Sequence, residues 1–311
     1  MIFKISFTLT MLINMNDTAR NSLQATIKKI EGAYAPSTIR AYKSNFENFI
    51  KFCDGINQKA IPASSEVVVS FIKSISDGRL KSASIRIAVA SIASIHKLNR
   101  LNDPVNDPDV KLEMRRMHRH LGRGSSQAYG INKDLLDKMI ASTDSSLRGI
   151  RDKALLSLAY DTLCRRSEIV SLDIEDIIYT NNLIKICLRK SKTDPNGLGK
   201  ILNLSEKTQE YLLQWLEKSK INTGRLFRGV KNNNQITASL NKAQINKIFK
   251  KLALVANVKK ENITKISGHS TRVGAAQDLL KYGASIPMIM QKGRWSKIDT
   301  LMRYVENSGG V

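Results

Sequence analysis

The chain has 311 residues and carries 50 Lys and Arg against 27 Asp and Glu, a net charge of +23. A hydrophobic content of 42% supplies a core and argues against global disorder. The length suits two domains of roughly 100–200 residues each. The surplus charge is not a tail: residues 1–122 hold 18 basic and 10 acidic side chains, and residues 123–311 hold 32 and 17. Two folded basic domains point to a polyanion, nucleic acid, ahead of a generic ribosomal or membrane-surface role. Cys53, Cys164 and Cys187 lie far apart with no CxxC pair. That argues against a zinc knuckle and a disulfide framework, and fits a reducing cytoplasm.

The first fifteen residues, MIFKISFTLTMLINM, are apolar but fall short of the roughly 20 that span a bilayer. They lack a small-residue cleavage site. Residues 1–20 are expected to be a disordered extension, or translation starts at Met11 or Met15. Residues 21–122 are expected to form an all-helical domain. Ser37 is placed to cap a helix carrying Ile39, Tyr42, Phe46, Phe49, Ile50 and Cys53, and Gly55 ends it. Pro62 and Ser64 open a second with Val67, Val68, Phe71, Ile72 and Ile75. A third, from about Ser82 to Leu98, sets Ile85, Val89, Ile92 and Ile95 on one face and Ala and Ser elsewhere. Small residues let it approach another helix or a DNA groove closely. A fourth, from about Asp107 to Leu121, turns Val110, Met114, Met117 and Leu121 inward and crowds the rest with Arg115, Arg116, His118, Arg119 and His120. With Glu113 alone to offset them, phosphate contact is favoured over a merely solvated face. Lys81, Arg86, Arg115, Arg116 and Arg119 are therefore candidate DNA contacts.

Residues 123–130 sit in GRGSSQAYG, which has linker composition, and residues 131–311 form the second domain. Helices are expected at about Lys133–Ser142, Ser146–Leu163, Ser205–Lys218 and Lys242–Val255. Leu183–Leu188 and Lys200–Leu204 alternate, making a small β-hairpin around the basic loop RKSKTDPNGLG. Lys190 on that loop is a further candidate DNA contact. The fold class is mainly α: a helical domain of four or five helices and a mixed, mostly helical domain with a small antiparallel sheet.

If DNA is the substrate, the motifs bear on how its backbone is cut. His269 and Arg272 have no acidic neighbour until Asp278, so a metal site is poorly supported. No P-loop is present, which argues against NTP hydrolysis. Metal-free transesterification needs a nucleophile, cations to neutralise a pentacovalent phosphorane and an acid for the leaving oxygen. Tyrosine, arginine and a lysine or histidine serve, and arginine's planar, permanently charged fork suits two phosphate oxygens.

Thr162–Ile169 (TLCRRSEI) resembles the first arginine motif of the tyrosine recombinase (phage integrase) family, and SGHSTR resembles its His-x-x-Arg box. SGHSTRVGAA, SIPMIMQKGRW and the final tyrosine are similar to the Cre-like subgroup, and Trp295 supports that placement. The resemblance is specific over most of 131–304 and is only a helical pattern over 35–122. It implies a core-binding domain followed by a catalytic domain. It implies that Tyr304 is the nucleophile, forming a 3′-phosphotyrosyl bond. Arg165 and Arg272 would hold the non-bridging oxygens, His269 would accept or share the proton, and Lys192 would donate one to the 5′-oxygen. Trp295 would offer its indole N–H, and Glu168 would orient the basic residues. Arg166 competes with Arg165, but the Arg-x-x-Glu register selects Arg165. Arg189, Lys190 and Lys200 stand near Lys192, and the SKT context selects Lys192.

No cofactor and no metal are implied. The implied partners are double-stranded DNA with inverted-repeat half-sites and a homotetramer assembled from monomers on two sites, with strand exchange through a Holliday junction. The expected setting is the cytoplasm, with no membrane. Seven residues follow Tyr304, fewer than the docking helix the resemblance implies. The competing readings are a relaxing topoisomerase and a non-catalytic DNA-binding regulator on the same fold.

Overall fold

The computed structural model describes residues 2–78, 80–124, 127–181, 183–189 and 199–305, with the backbone alone over 2–15. The chain divides into two compact units, Met1–Ser125 and Ser126–Val311.

The first unit holds five helices: α1 (Ile2–Ile30), α2 (Pro36–Gly55), α3 (Ser65–Ser76), α4 (Ser82–Leu98) and α5 (Pro108–Leu121). Their starts follow local chemistry. Asp107 accepts a hydrogen bond from the Asp109 N–H at the head of α5, and Pro108 occupies the first turn, where no N–H is needed. Helix α2 packs on α1 and α4, and α3 packs on α5. Phe46, Phe49, Ile50, Phe71, Ile72, Ile85, Ile92 and Ile95 fill the space between them. His96 is buried there as a neutral ring. Its Nδ1–H donates to the Ile92 carbonyl at 2.8 Å, and its Nε2 accepts from the Ala63 N–H at 3.0 Å. Burial lowers its pKa. The small residues of α4 serve both sides: Ala88 and Ser91 turn into the core, while Ala83, Ser84 and Ala90 are exposed beside Arg86 and Ile87.

Of the extension expected over residues 1–20, the stretch from Asn16 onward is packed in a helix. That helix, α1, spans Ile2–Ile30. Ala19, Leu23, Ile27 and Ile30 recur at helical spacing and are buried. Asn16 Nδ2 donates to Asp54 Oδ1 at 2.6 Å and to the Gln58 carbonyl at 3.3 Å, and its Oδ1 accepts from the Ala60 N–H at 3.2 Å. Arg20 pairs with Asp54 at 2.5 Å. The apolar stripe is thin and diluted by polar neighbours, so its partner becomes visible only when α2 is folded against it.

In the second unit α6 (Lys133–Ala141) and α7 (Leu147–Thr162) lead into the short α8 (Arg166–Ile169). Strands β1 (Ile177–Thr180), β2 (Leu183–Leu188) and β3 (Lys200–Asn203) follow, then α9 (Glu206–Ser219), α10 (Lys242–Val255) and α11 (Lys260–Lys265). The chain closes with α12 (Ser270–Lys281), α13 (Ile286–Gly293) and α14 (Ile298–Val305). The sheet is antiparallel in the order β1-β2-β3, with Ile186 opposite both Ile177 and Leu202. Strand β1 extends the expected hairpin to three strands. It lies at an edge and does not alternate, so its sequence carries no strand period. Helix α7 packs on α9 and α12 and is buried on nearly every face.

The large core joins α6, α7, the sheet, α9 and α10. A smaller cluster of Leu163, Ala275, Ala276, Ile289, Trp295, Leu301 and Val305 ties α12, α13 and α14 together. Helix α12 is pinned from two sides. Asp278 Oδ2 accepts from the Lys133 N–H at 2.7 Å and from Tyr160 Oη–H at 2.5 Å. Gly274 lies against the Ile131 backbone so closely that a Cβ there would stand 1.9 Å from the Ile131 oxygen. Among the described residues no helix is long and apolar enough to cross a membrane.

If α1 is integral to the first unit, Leu23→Ala costs about 2–5 kcal/mol of stability. Urea unfolding of the full chain reads this as a lower midpoint. A midpoint unchanged from wild type would mean that the helix is not packed.

Candidate active site

Helix α7 stops at Thr162 because Leu163 adopts a left-handed backbone, φ 49°. The last carbonyls of a helix have no partner within it and carry partial negative charge. Two guanidinium groups collect them here. Arg272 donates from Nη1 to the Leu163 carbonyl and from Nη2 to the Gly293 carbonyl at 2.9 Å. Arg294 donates from Nη1 to the Thr162 carbonyl and from Nη2 to the Leu163 carbonyl, each at 3.1 Å. The chain then turns into α8, with Arg165 at its N-cap. Glu168, three residues on, reaches back: its Oε2 accepts from the Arg165 N–H at 2.8 Å and its Oε1 from Arg165 Nη1 at 2.8 Å. The Arg-x-x-Glu spacing is thus the spacing of a capping box. Arg294 Nη2 also reaches Glu168 Oε2, at 3.1 Å.

One carboxylate therefore serves two arginines beside a third. Burial pushes the Glu168 carboxyl up, but the Arg165 N–H, the Arg294 charge and the Arg165 side chain outweigh it and hold the pKa below the usual carboxylate value. Arg272 is 1% exposed. Burial first, then repulsion from Arg165 and Arg294, lowers its pKa.

Trp295 joins this cluster to α14. Its ring lies 4.8 Å from the Arg272 guanidinium carbon and 5.5 Å from the Tyr304 ring, edge to face. Gly293 makes room for it, since a Cβ there would stand 2.0 Å from Trp295 Cζ3. On α14, Leu301 and Val305 are buried and Tyr304 is half-buried. The Tyr304 carbonyl accepts from Gln127 Nε2 and Gln277 Nε2, each at 3.0 Å. His269 caps α12 and is exposed, in a loop held by the Gly268 N–H on Asn246 Oδ1 at 2.7 Å. The surrounding protein still strips enough water to lower its pKa, helped by Arg272, Arg166 and Arg165.

The model of the phage integrase family matches residues 130–309. The chain belongs to the phage integrase family. It is an enzyme of the tyrosine recombinase type. It is 27% identical over 311 residues to the recombinase Cre of Escherichia phage P1, covering 94% of this chain and 90% of that protein. In fold it is similar to the XerH site-specific recombinase bound to palindromic difH substrate in a post-cleavage complex. That likeness has a TM-score of 0.66 at 18% identity and covers 97% of this chain and 85% of that one. It is also similar in fold to a lambda integrase tetramer bound to a Holliday junction, with a TM-score of 0.67 at 11% identity, over 94% and 78% of the two chains.

Five of the expected site residues in this family member, Arg165, His269, Arg272, Trp295 and Tyr304, come to one place with Glu168. Lys192 and Lys190 lie outside the described residues. Of the cations beside that loop, Arg189 is engaged by Asp173 at 2.5 Å and Asp176 at 2.6 Å. Lys200 Nζ donates to the Gln291 carbonyl at 3.1 Å. Among the described residues no group of three or more His, Cys, Asp or Glu is placed to hold a metal ion.

In the first unit Lys81, Arg86, Arg115, Arg116 and Arg119 are all exposed. Arg116 pairs with Glu113 at 2.9 Å. Ser82 Oγ meets His118 Nδ1 at 3.0 Å, which draws the start of α4 to α5. Desolvation, then the charges of Arg123 and Arg86, lowers the His118 pKa, so those arginines face the same imidazole. Sequence reasoning missed Arg294, Gln127 and Gln277. Arg294 sat inside the quoted GRW stretch but carries no spacing signal, and the glutamines bond a main-chain carbonyl that no motif records.

Gly293→Ala is expected to drive the Trp295 ring off Arg272 and Tyr304 while the fold is kept. Trp215 and Trp295 are the two tryptophans of the chain. In a Trp215→Phe background, tryptophan fluorescence therefore reports Trp295, and an unchanged emission spectrum would refute the contact.

Proposed function

We propose that this protein is a site-specific recombinase that cuts and rejoins double-stranded DNA through a 3′-phosphotyrosyl bond at Tyr304. The observation that carries the reading is the placement of Trp295 against both Arg272 and Tyr304. One indole sets the nucleophile beside the arginine cluster.

Tyr304 Oη attacks the phosphorus and the bond to the 5′-oxygen breaks. The phenolic proton passes to His269, whose depressed pKa leaves it neutral and able to accept at neutral pH. Arg165 and Arg272 take the charge of the phosphorane on its non-bridging oxygens. Arg272 is covered by the Trp295 ring, so its edge meets the phosphate when the indole steps aside and turns its N–H to the same oxygens. Lys192 protonates the leaving 5′-oxygen; the engagement of Arg189 and Lys200 supports keeping it in that role. The phosphotyrosyl link conserves the energy of the broken bond, so rejoining needs no ATP and no metal. Attack by a partner strand's 5′-hydroxyl exchanges strands through a Holliday junction.

The first unit, a core-binding domain, holds the duplex through Lys81, Arg86, Arg115, Arg116 and Arg119, and Lys190 adds a contact from the second. The working form is a homotetramer on two sites built of inverted half-sites. The relatives named above support both points, one being bound to a palindromic substrate and one a tetramer on a junction.

Covalent capture tests this. The protein is incubated with fragmented source DNA and denatured, and attached DNA is sequenced. Reads are expected to pile up at an inverted repeat and to vanish with Tyr304→Phe. Arg165→Ala is expected to cut adduct formation by roughly 10²- to 10³-fold while gel-shift binding, made of many phosphate contacts, is largely kept. Adduct surviving in Tyr304→Phe, or binding lost in Arg165→Ala, would count against the assignment.

The pH profile carries a sign. The pKa of His269 lies below its ordinary 6.5. The base form therefore persists as pH falls through about 6.5, and kcat/KM, which reports the free enzyme, drops only at more acid pH. His269→Gln should remove that acid limb. A limb centred above 6.5 would contradict the role.

A further inference from the structure

The mechanism gives Arg294 no task, and the fold gives it an expensive place. It is 9% exposed, and its Nη atoms are taken by the Thr162 and Leu163 carbonyls and Glu168. It ends α13 with φ 55°. Its N–H donates to the Gln291 carbonyl at 3.3 Å, and the Trp295 N–H donates to the Met290 carbonyl at 3.0 Å. That closure favours glycine, and a side-chain-bearing residue is strained there by roughly 1–2 kcal/mol. Burying a guanidinium adds a desolvation cost unless its donors are matched. The compensation lies in what the side chain holds.

Its acceptors are the supports of the two arginines assigned to phosphate. Glu168 Oε2 takes Arg294 Nη2 at 3.1 Å and the Arg165 N–H at 2.8 Å, while Oε1 takes Arg165 Nη1 at 2.8 Å. The Leu163 carbonyl takes both Arg294 Nη2 and Arg272 Nη1. The Arg294 side chain is thus wedged between Glu168 and the end of α7.

We propose that Arg294 is a positioning residue for strand cleavage: with the Arg165 N–H it occupies Oε2 of Glu168, so that Glu168 holds the Arg165 guanidinium through Oε1 and the Arg165 fork is kept turned to the phosphate. This rests on the assignment of Arg165 to phosphate binding. Without the Arg294 cation, Glu168 has Arg165 as the charge it already touches. A carboxylate grips arginine best through both oxygens. That grip rotates the Arg165 fork inward, away from the scissile group.

The test uses the full chain and a DNA fragment carrying the captured site. Arg294→Gly suits the left-handed backbone and removes the side chain; Arg165 Nη2 keeps its 3.4 Å bond to the carbonyl of residue 294. Single-turnover adduct formation is expected to fall roughly 10- to 100-fold, with gel-shift affinity close to wild type. Arg294→Lys, which restores charge without the fork, should recover part of the rate. Glu168→Gln added to Arg294→Gly should cost less than the product of the two single effects, because both act through one contact. A purely structural role would move the melting temperature and leave this coupling at zero. Wild-type rate in Arg294→Gly, or full additivity with Glu168→Gln, overturns the proposal. If Arg294→Gly unfolds, Arg294→Lys decides: a several-fold slower rate at unchanged binding supports it, and wild-type rate overturns it. Adduct missing in wild type, or kept in Tyr304→Phe, fails the reading of the nucleophile instead and removes this one with it.

Discussion

The end of α7 is the constraint on which the second unit depends. A helix that stops inside a protein must find donors for its last carbonyls. Here the left-handed Leu163 turns those carbonyls toward α12 and α13, and Arg272 and Arg294 supply the donors. The same turn delivers Arg165 to the N-cap of α8, where Glu168 is fixed by the helix it caps. Three guanidinium groups are therefore gathered by backbone geometry around one carboxylate. The cluster sets three cations against one carboxylate, and burial first, then repulsion among its members, lowers the Arg272 pKa. In the proposed mechanism a phosphodiester supplies the missing counter-charge. The folding constraint and the binding chemistry are one set of bonds.

The tyrosine helix is a different kind of object. Helix α14 spans Ile298–Val305, too short to be stable alone, and depends on what it packs against. Leu301 and Val305 anchor it in the small cluster, and Gln127 and Gln277 take the Tyr304 carbonyl. Trp295 fills the gap between this helix and Arg272, and only a glycine at 293 admits its ring. The proposed nucleophile is thus held by few contacts on a small element, while the cations are held by many on a large one. Movement during the reaction is easier for the tyrosine than for the arginines.

What the sequence made legible follows from which interactions leave a period or a spacing. Helix α4 was readable to the residue because its apolar face repeats, and Arg-x-x-Glu and His-x-x-Arg were readable because each sits on a single helix start. The packed half of α1 was not, because Ala19, Leu23, Ile27 and Ile30 acquire meaning only against α2 and the Asp54 end that Asn16 and Arg20 reach. Strand β1 was missed because an edge strand with no buried face does not alternate. Arg294 was passed over for a deeper reason. Its partners, Thr162, Leu163 and Glu168, lie more than a hundred residues away. Nothing local marks an arginine where glycine fits better. Lys192 still rests on its SKT context, since it falls outside the described residues.

In the proposed mechanism the cations assigned to the phosphate also act on the base. Desolvation first, then Arg272, Arg166 and Arg165, favour the neutral form of His269, the form that accepts a proton. Each guanidinium neutralised by a DNA phosphate loses part of that influence, and the imidazole gains proton affinity. In the proposed mechanism, then, arrival of the scissile group strengthens the base that the reaction requires. A histidine among unpaired cations starts as a weak acceptor that is reliably unprotonated. It becomes a stronger one only when substrate is seated, so cleavage competence is tied to occupancy.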